Sequence, residues 1–183
     1  VEDYDVTILP SVTVSVADSP VTEDGVDTMT FTFDRNTTTT GAAAPQSPFN
    51  NALVVGFDIS GTAAYTAAMA AGNDYEVSST DAFSYDGTTG LGTITIPVTS
   101  TTATLTITAV DDMIVEADTE DIVLDITADP LGVPTYAITQ DAGAATLDAT
   151  GEITDDDFLT IEFSQAMGTD TEGVAQTGKP QIL

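Results

Sequence analysis

Residues 104–112, Thr-Leu-Thr-Ile-Thr-Ala-Val-Asp-Asp, contain the pattern from which the fold class follows. Apolar residues alternate with threonines, and successive side chains of a β-strand point to opposite faces. The pattern therefore predicts a strand with one apolar face against a core and one threonine face toward solvent. Asp111 and Asp112 follow directly, so this strand leads into two adjacent carboxylates.

The same alternation recurs along the chain in short segments separated by turn-forming residues. Met29, Phe31 and Phe33, for example, share one face, which we assign to the core. Seven such segments without a long helix predict an all-β fold, an immunoglobulin-like sandwich of about seven antiparallel strands. The strands are expected at residues 12–16, 29–33, 53–59, 94–96, 105–109, 122–126 and 145–149.

Four segments between these strands lack the alternation. Residues 18–25 are rich in turn formers, and residues 37–50 and 78–90 are expected to form long inserted loops. Residues 63–71 are rich in alanine, the best helix former, and are expected to form a short helical turn.

Charge is the most unusual compositional feature of the chain. Thirty Asp and Glu residues stand against two basic residues, Arg35 and Lys179, which gives a formal net charge of −28. Such a surface repels nucleic acid and anionic membranes, and it destabilises the fold unless cations or salt screen it. Cysteine and histidine are absent, which excludes disulfides, thiolate zinc sites and histidine-dependent triads. A composition rich in Thr and poor in Lys is typical of a secreted or cell-surface protein. The negative charge predicts no nucleic-acid partner and no direct membrane insertion.

Two acidic clusters follow predicted strands and are candidates for a cation site. The first consists of Asp111 and Asp112, with Glu116 four residues later, and the second is the run of three aspartates at 155–157. Two carboxylates about 5 Å apart repel by roughly 3 kcal/mol at an effective dielectric near 20, and a divalent ion removes that cost. A solvated acidic surface is the alternative interpretation of each cluster.

Five short motifs, taken in order along the chain, are informative together. They are residues 21–25 (Val-Thr-Glu-Asp-Gly), 60–63 (Ser-Gly-Thr-Ala), 72–75 (Gly-Asn-Asp-Tyr), Asp111-Asp112 with Glu116, and 153–157 (Ile-Thr-Asp-Asp-Asp). This set resembles the Calx-β domain, a calcium-binding immunoglobulin-like sandwich of sodium/calcium exchangers, integrin β4 and bacterial surface proteins. The resemblance implies a Ca²⁺ site at one end of the sandwich. Its implied ligands are the Ile114 carbonyl and the carboxylates of Glu23, Asp74, Asp111, Asp112, Glu116, Asp155, Asp156 and Asp157.

The chain departs from the Calx-β pattern near these residues. The family places a second glutamate three residues after the first, whereas Glu120 follows Glu116 by four. A one-residue bulge could absorb the shift, and Glu120 is left out of the implied ligand set. The connection before Asp74 is longer than usual in the family. Tyr75 is expected to pack in the core or in a turn rather than to bind metal.

The chain divides into three parts around the predicted sandwich. Residues 1–10 form an acidic linker or the tail of a preceding unit, and residues 11–157 form the sandwich. Residues 158–183 begin with another alternating strand, and an offset of roughly 150 residues relates this part to the beginning of the chain. We expect it to start a next repeat or to be donated to a neighbouring copy, so that chains associate head to tail.

These features predict a non-enzymatic, calcium-stabilised structural module of a secreted or cell-surface protein, in adhesion or in an extracellular filament. The alternative is a calcium-sensing regulatory domain that changes domain orientation on binding. A carboxylate hydrolase such as a glycosidase is disfavoured, because the sequence marks no sugar-sized cleft with aromatic platforms. Calcium and further copies or repeats of the chain are the expected partners. Asn36 begins an Asn-Thr-Thr glycosylation acceptor.

Overall fold

The described part of the chain lies mostly within residues 11–157, the span predicted for the sandwich. The acidic linker as far as residue 8, the loop at 37–50, most of the predicted helical turn and the segment from residue 160 lie outside it. The first residues of that turn, 63–65, are irregular. The computed structural model describes residues 9–24, 27–36, 51–65, 73–132, 135–137 and 147–159.

Ten strands form two sheets in these residues, and the predicted all-β sandwich is confirmed. They are β1 (Ser11–Ala17), β2 (Val21–Thr22), β3 (Thr28–Asn36), β4 (Leu53–Gly61), β5 (Tyr75–Ser78), β6 (Phe83–Tyr85), β7 (Leu91–Ile96), β8 (Thr102–Ala109), β9 (Glu120–Ile126) and β10 (Asp148–Thr154). The first sheet has the order β1-β3-β8-β5, and the second has the order β2-β10-β9-β4-β7-β6. The described residues include no helix long and apolar enough to cross a membrane.

The core lies between the two sheets and consists of the inward side chains of alternating strands. Met29, Phe31 and Phe33 on β3 are fully buried, as predicted. Each large apolar side chain removed from water in this way contributes about 1.5–3 kcal/mol. Fully buried partners from the other strands are Val55, Phe57, Ile94, Ile96, Leu105, Ile107, Ile122 and Leu124.

The pairing of β3 with β8 shows why the alternation determines the fold. Thr28 lies opposite Thr108 on the outer face, whereas Phe31 lies opposite Leu105 on the inner face. A shift of one residue in either strand would carry its threonines into the core and its apolar residues into water. The hydrophobic pattern thus specifies the register as well as the strands.

Three short strands go beyond the prediction and raise the strand count from about seven to ten. β2 lies in the segment predicted as a turn, and it pairs in parallel with β10. β5 pairs with β8, and β6 pairs with β7. With two to four residues each, these strands are too short to show alternation, and pairing with longer neighbours forms them. The expectation of an inserted loop over 78–90 is therefore wrong at Phe83–Tyr85, which forms a strand.

The last strand of the sandwich is displaced from its predicted position. Alternation predicts a strand at 145–149, whereas β10 covers Asp148–Thr154. Gly151 interrupts the apolar pattern of β10 because a Cβ at this position would overlap the sulfur of Met29. The core therefore requires a residue without a side chain where the pattern would call for an apolar one.

Arg35 is the one basic residue in the described part of the chain, and it lies far from the acidic clusters. It is 2% exposed and donates hydrogen bonds to the carbonyls of Asn51 at 3.0 Å, Pro97 at 3.3 Å and Ser100 at 2.6 Å. Along β3 it is separated from Thr28, at the acidic end, by roughly 23 Å at about 3.3 Å per residue. The acidic end therefore has no basic side chain nearby among the described residues.

Candidate metal centre

One end of the sandwich collects acidic residues from five segments of the chain. Ala109 at the end of β8 pairs with Tyr75 at the start of β5. Ile153 near the end of β10 pairs with Val21 of β2 and with Glu120 at the start of β9. Because these strand ends coincide, the side chains at and beyond them meet. The acidic residues placed there are Glu23, Asp74, Asp111, Asp112, Glu116, Glu120, Asp155, Asp156 and Asp157.

Three carboxylates form the inner group of this cluster. Glu23, Asp74 and Glu116 each offer an oxygen, and these oxygens all lie within 4.8 Å of one another. Glu23 and Asp74 are each 3% exposed, and Glu116 is half-buried. Ionised groups this close and this poorly hydrated are costly to hold together unless protons or a cation neutralise them.

Backbone hydrogen bonds hold the inner carboxylates in place. The Glu23 amide donates to the Thr154 carbonyl at 3.2 Å, which joins the turn after β2 to β10. The Asp74 amide donates to the Ala64 carbonyl at 3.0 Å, and the Ala64 amide donates in return to Asp74 Oδ2. The Val110 amide donates to the Asp74 carbonyl at 3.0 Å. The inner group is therefore attached to both sheets.

Asp155 organises the outer part of the cluster. Its Oδ2 accepts a hydrogen bond from the Glu116 amide at 2.8 Å, and its Oδ1 accepts one from the Asp157 amide at 2.9 Å. Asp112 Oδ1 accepts a hydrogen bond from the Ile114 amide at 2.6 Å, which bends the loop after β8. In each acidic run, an aspartate thus accepts a hydrogen bond from a backbone amide two residues later, which fixes the local bend of the chain.

Glu120 lies in the cluster although it was not among the predicted ligands. Its carboxyl group interacts with that of Asp74. Its Oε2 is buried and has no hydrogen-bond partner in the described part of the chain. Burial, then the hydrogen bond and negative charge of Asp74, raise the pKa of Glu120 to about 7.

The pairing of β9 with β10 contains no bulge beside Glu120, which lies opposite Ile153. Residues 117–119, between Glu116 and Glu120, are irregular. The sequence contained one usable signal for Glu120, since it directly precedes the alternating pattern of β9.

Burial and mutual repulsion raise the pKa values of the inner glutamates. Burial is the largest cause at Glu23, and the charges of neighbouring carboxylates add to it, so that its pKa rises from the usual 4.5 to about 8. Burial also raises the pKa of Glu116, followed by the charges of Asp74 and Asp112. Without a cation, the site therefore retains protons near neutral pH.

The structure brings the nine predicted ligands to one end of the sandwich, but not into one group. Glu23, Asp74 and Glu116 form the inner group, and Asp112 and Asp155 lie close enough for their charges to raise the pKa of Glu23. The remaining four lie toward the rim. Asp157 is half-buried, and the other three are exposed: Asp111, Ile114 and Asp156.

The donor set of this site consists of oxygen atoms. Oxygen-rich sites without nitrogen or sulfur ligands suit hard cations such as Ca²⁺ and Mg²⁺. A buried carboxylate oxygen without a partner, next to further carboxylates and far from any described base, is the arrangement that a divalent cation would complete. The residues present therefore fit a metal ion.

The chain is similar to solved structures at low sequence identity. The chain matches no protein-family model and no curated protein. It is similar to the calcium binding domain CBD12 of CALX1.1, at 16% identity and a TM-score of 0.44, over 79% of this chain and 44% of that chain. It is also similar to the apo-form Calx CBD1 domain, at 16% identity and a TM-score of 0.42, over 79% of this chain and 99% of that one. The match thus spans less than half of the CBD12 chain and almost all of the CBD1 chain.

Proposed function

We propose that the acidic end of this sandwich binds calcium. The observation that supports it best is the inner group, in which two almost fully buried carboxylates, Glu23 and Asp74, face Glu116 within 4.8 Å. A buried charge normally has a partner of opposite sign, and Arg35, the only described base, is occupied at the other end. A divalent cation supplies the missing positive charge.

Calcium suits the cluster better than magnesium does. Calcium accepts six to eight oxygens in flexible geometry at about 2.3–2.6 Å, whereas magnesium demands a near-ideal octahedron and retains waters. The site offers many carboxylates from irregular loops, which favours the larger and more adaptable ion. Asp155 lies between the inner and outer groups, so two ions sharing its carboxylate are compatible with the arrangement.

We infer that the domain is a non-enzymatic structural module of a secreted or cell-surface protein, working in adhesion or in an extracellular filament. Segments from both sheets converge on the acidic end, so a bound cation would tie the turn after β2, the loop after β8 and the end of β10 to one another. Removal of calcium would restore repulsion among these segments. The net charge of −28 destabilises the fold through repulsion, and bound calcium would reduce that repulsion.

Head-to-tail association is a second part of this proposal. Phe158 and Leu159, which follow the outer aspartates, are 80% and 77% exposed, and Met113 in the neighbouring loop is 91% exposed. Apolar side chains exposed beside the metal centre are suited to contact a next repeat or a neighbouring copy. Light scattering in calcium tests this. The double variant Phe158→Ser with Leu159→Ser should reduce the mass of the associated species. Leu131→Ser is the control and should leave that mass unchanged, because Leu131 is 65% exposed and follows the other end of β9.

A calcium-sensing role is the alternative, and the loop after β8 is the feature that favours it. Residues 110–119 lie outside the strands, and the bond from the Glu116 amide to Asp155 ties this loop to β10. A cation that changes the hydrogen bonding of Asp155 would move this loop. Extracellular structural sites bind calcium at about 10⁻⁴ to 10⁻³ M, and sensors bind it at about 10⁻⁷ to 10⁻⁵ M.

Calorimetric titration of chelator-treated protein tests the proposed function. Calcium should bind with measurable heat and release protons, and Asp74→Asn should weaken binding by about tenfold or more. Glu76→Gln is the matched control, because Glu76 is exposed on β5 two residues from Asp74. If calcium produced no heat, or if both variants bound it like the original chain, the acidic end would be a solvated surface.

A further inference from the structure

One sequence motif, Ser60-Gly61-Thr62-Ala63, supplies no carboxylate to the acidic end. It lies where β4 ends, and the last pair that β4 forms with β9 is Gly61 opposite Ile122. Beyond that pair the chain leaves the sheet and reaches Ala64, whose amide and carbonyl both bond to Asp74. The motif therefore lies between a regular sheet and a residue of the inner group, and the carboxylates alone leave it unexplained.

Thr62 and Asp121 hold each other through their side chains and their backbones. The Thr62 hydroxyl donates to Asp121 Oδ1 at 2.5 Å and accepts a hydrogen bond from the Asp121 amide at 2.9 Å. The Thr62 amide donates to Asp121 Oδ1 at 2.9 Å and to the Asp121 carbonyl at 3.0 Å. The Ala63 amide donates to the same carbonyl at 3.1 Å. These bonds fix the backbone of residues 62–63 against the start of β9.

Gly61 makes this close approach possible. Its φ is +130°, in a region that residues with a side chain rarely adopt. A Cβ at this position would lie 2.1 Å from the carbonyl oxygen of Asp121. The glycine therefore lets the chain turn out of β4 with the amides of Thr62 and Ala63 directed at Asp121.

Both sides of the Thr62–Asp121 contact lead directly to the acidic cluster. Glu120 precedes Asp121 in the chain, at the start of β9. Ala64, two residues after Thr62, accepts a hydrogen bond from the Asp74 amide at 3.0 Å and donates one to Asp74 Oδ2. The contact thus ties the backbone that orients Asp74 to the strand that carries Glu120.

Asp121 lies on the face of the sheet that points away from the cluster. Successive side chains of a strand point to opposite faces, and Asp121 follows Glu120, whose Oε2 is buried. Asp121 pairs with Glu152, which is exposed on the outer face. Asp121 therefore acts on the metal centre through the chain that it holds, and not as a ligand.

We propose that Thr62 and Asp121 are positioning residues of the metal centre. They hold the chain so that the amide and carbonyl of Ala64 fix Asp74 in the orientation that calcium requires. This inference rests on the proposed calcium binding, and it names residues beyond the ligands on which the affinity depends. Removing a group that orients a metal ligand typically weakens metal binding by about 10–100-fold. Because the Thr62 hydroxyl acts through the backbone of residues 62–64, we expect about tenfold.

Calorimetric titration of the full chain with calcium tests this inference. Thr62→Val removes the hydroxyl but keeps the shape of the side chain, and it should weaken calcium binding by about tenfold. Thr62→Ser retains the hydroxyl and should bind calcium like the original chain. Thr135→Val is the matched control, because the amide and hydroxyl of Thr135 donate to Asp129 Oδ2 at 2.7 and 2.5 Å. That pair follows the other end of β9, so its loss should leave the calcium affinity unchanged.

Two measurements in chelator separate positioning from general stability. Both valine variants lose a hydroxyl that donates to an aspartate, so both should lower the melting temperature. A purely structural role of Thr62 would have no further effect. Amide hydrogen exchange at Ala64, followed by NMR, should be faster in Thr62→Val than in the original chain or in Thr135→Val. The reason is that the Ala64 amide is then no longer held against Asp74.

Several results would overturn the inference. Thr62→Val could bind calcium as tightly as the original chain, or Thr62→Ser and Thr135→Val could each be as weak as Thr62→Val. Unchanged exchange at Ala64 in Thr62→Val would also overturn it, because the link to Asp74 would then be absent. Failure of the proposed function gives a different result, since the original chain would then produce no heat with calcium. The positioning role would in that case fall together with the calcium site, whatever the exchange at Ala64.

Discussion

Replacing Glu23 by glutamine should have opposite effects with and without calcium. Glu23 is 3% exposed and its pKa rises from 4.5 to about 8, first through burial and then through neighbouring carboxylates. In the metal-free protein the folded state therefore keeps this proton over a range in which the unfolded state has lost it. The contribution to stability is fully present below the unfolded pKa and is lost as the pH rises toward the folded pKa.

The size of the effect follows from the same values. Stability falls by about 1.4 kcal/mol per pH unit in that range, so the limit at about pH 7.5 is roughly 4 kcal/mol. Solvent at the edge of the site screens the charges, and we expect roughly 1–3 kcal/mol. Glu23→Gln removes this cost, and it should raise the melting temperature in chelator by about 5 °C for a domain of this size. At about pH 5 the gain should nearly vanish.

In calcium the same substitution removes a charged ligand. The increase in melting temperature that calcium produces should therefore be smaller in Glu23→Gln than in the original chain. Differential scanning calorimetry at about pH 5 and pH 7.5, with chelator or with calcium, gives all four values, and Glu76→Gln on the exposed side of β5 is the control. A variant that melts lower than the original chain in chelator at the higher pH would refute the reasoning, because Glu23 would then stabilise the metal-free fold.

Three further predictions concern the metal and the core. Chelation should lower the melting temperature of the original chain sharply at pH 7.5, and a saturating calcium concentration of about 100 times the dissociation constant should restore about 2.7 kcal/mol; identical melting curves in chelator and calcium would contradict this. Gly151→Ala should cost roughly 1–3 kcal/mol because its Cβ would overlap the Met29 sulfur, which urea unfolding would measure, and the double variant with Met29→Ala should recover part of the loss. Arg35→Met should cost about 2–4 kcal/mol, since three carbonyls lose a charged donor; no change in calcium affinity should accompany it.

The long strands and their inner faces could be predicted from the sequence because their signal is local. Period-two alternation at β3 and β8 places Phe31 and Leu105 in the core whatever their neighbours are, since an error in register would bury threonines. The short strands could not be predicted, because two to four residues carry too little pattern. The position of β10 could not be predicted either, since Gly151 reflects a contact with Met29 across the core.

The candidate site shows a similar division. The two acidic runs could be recognised because their residues are adjacent in sequence, and the resemblance to Calx-β domains added Glu23 and Asp74. Which carboxylates form the inner group depends on where strand ends coincide, and that follows from pairings such as Ile153 with Val21 and Glu120. Glu120 was left out because its spacing from Glu116 does not match the Calx-β pattern, and only the pairing of Glu120 with Ile153 places it in the cluster.

By itself, the sequence determined that this protein is an acidic β-sandwich in which two strands lead into acidic runs. Alternation and charge belong to residues that are neighbours in the sequence. Apolar strand faces are buried and like charges repel whatever the arrangement of the strands. Only the tertiary structure decided that Glu23, Asp74 and Glu116 face one another, and that the rings of Tyr65, Tyr75 and Tyr85 pack together. Glu23, Asp74 and Glu116 are far apart in the chain, and the three tyrosines lie on different strands or loops, so these distances depend on the pairing of the sheets, which no local pattern records.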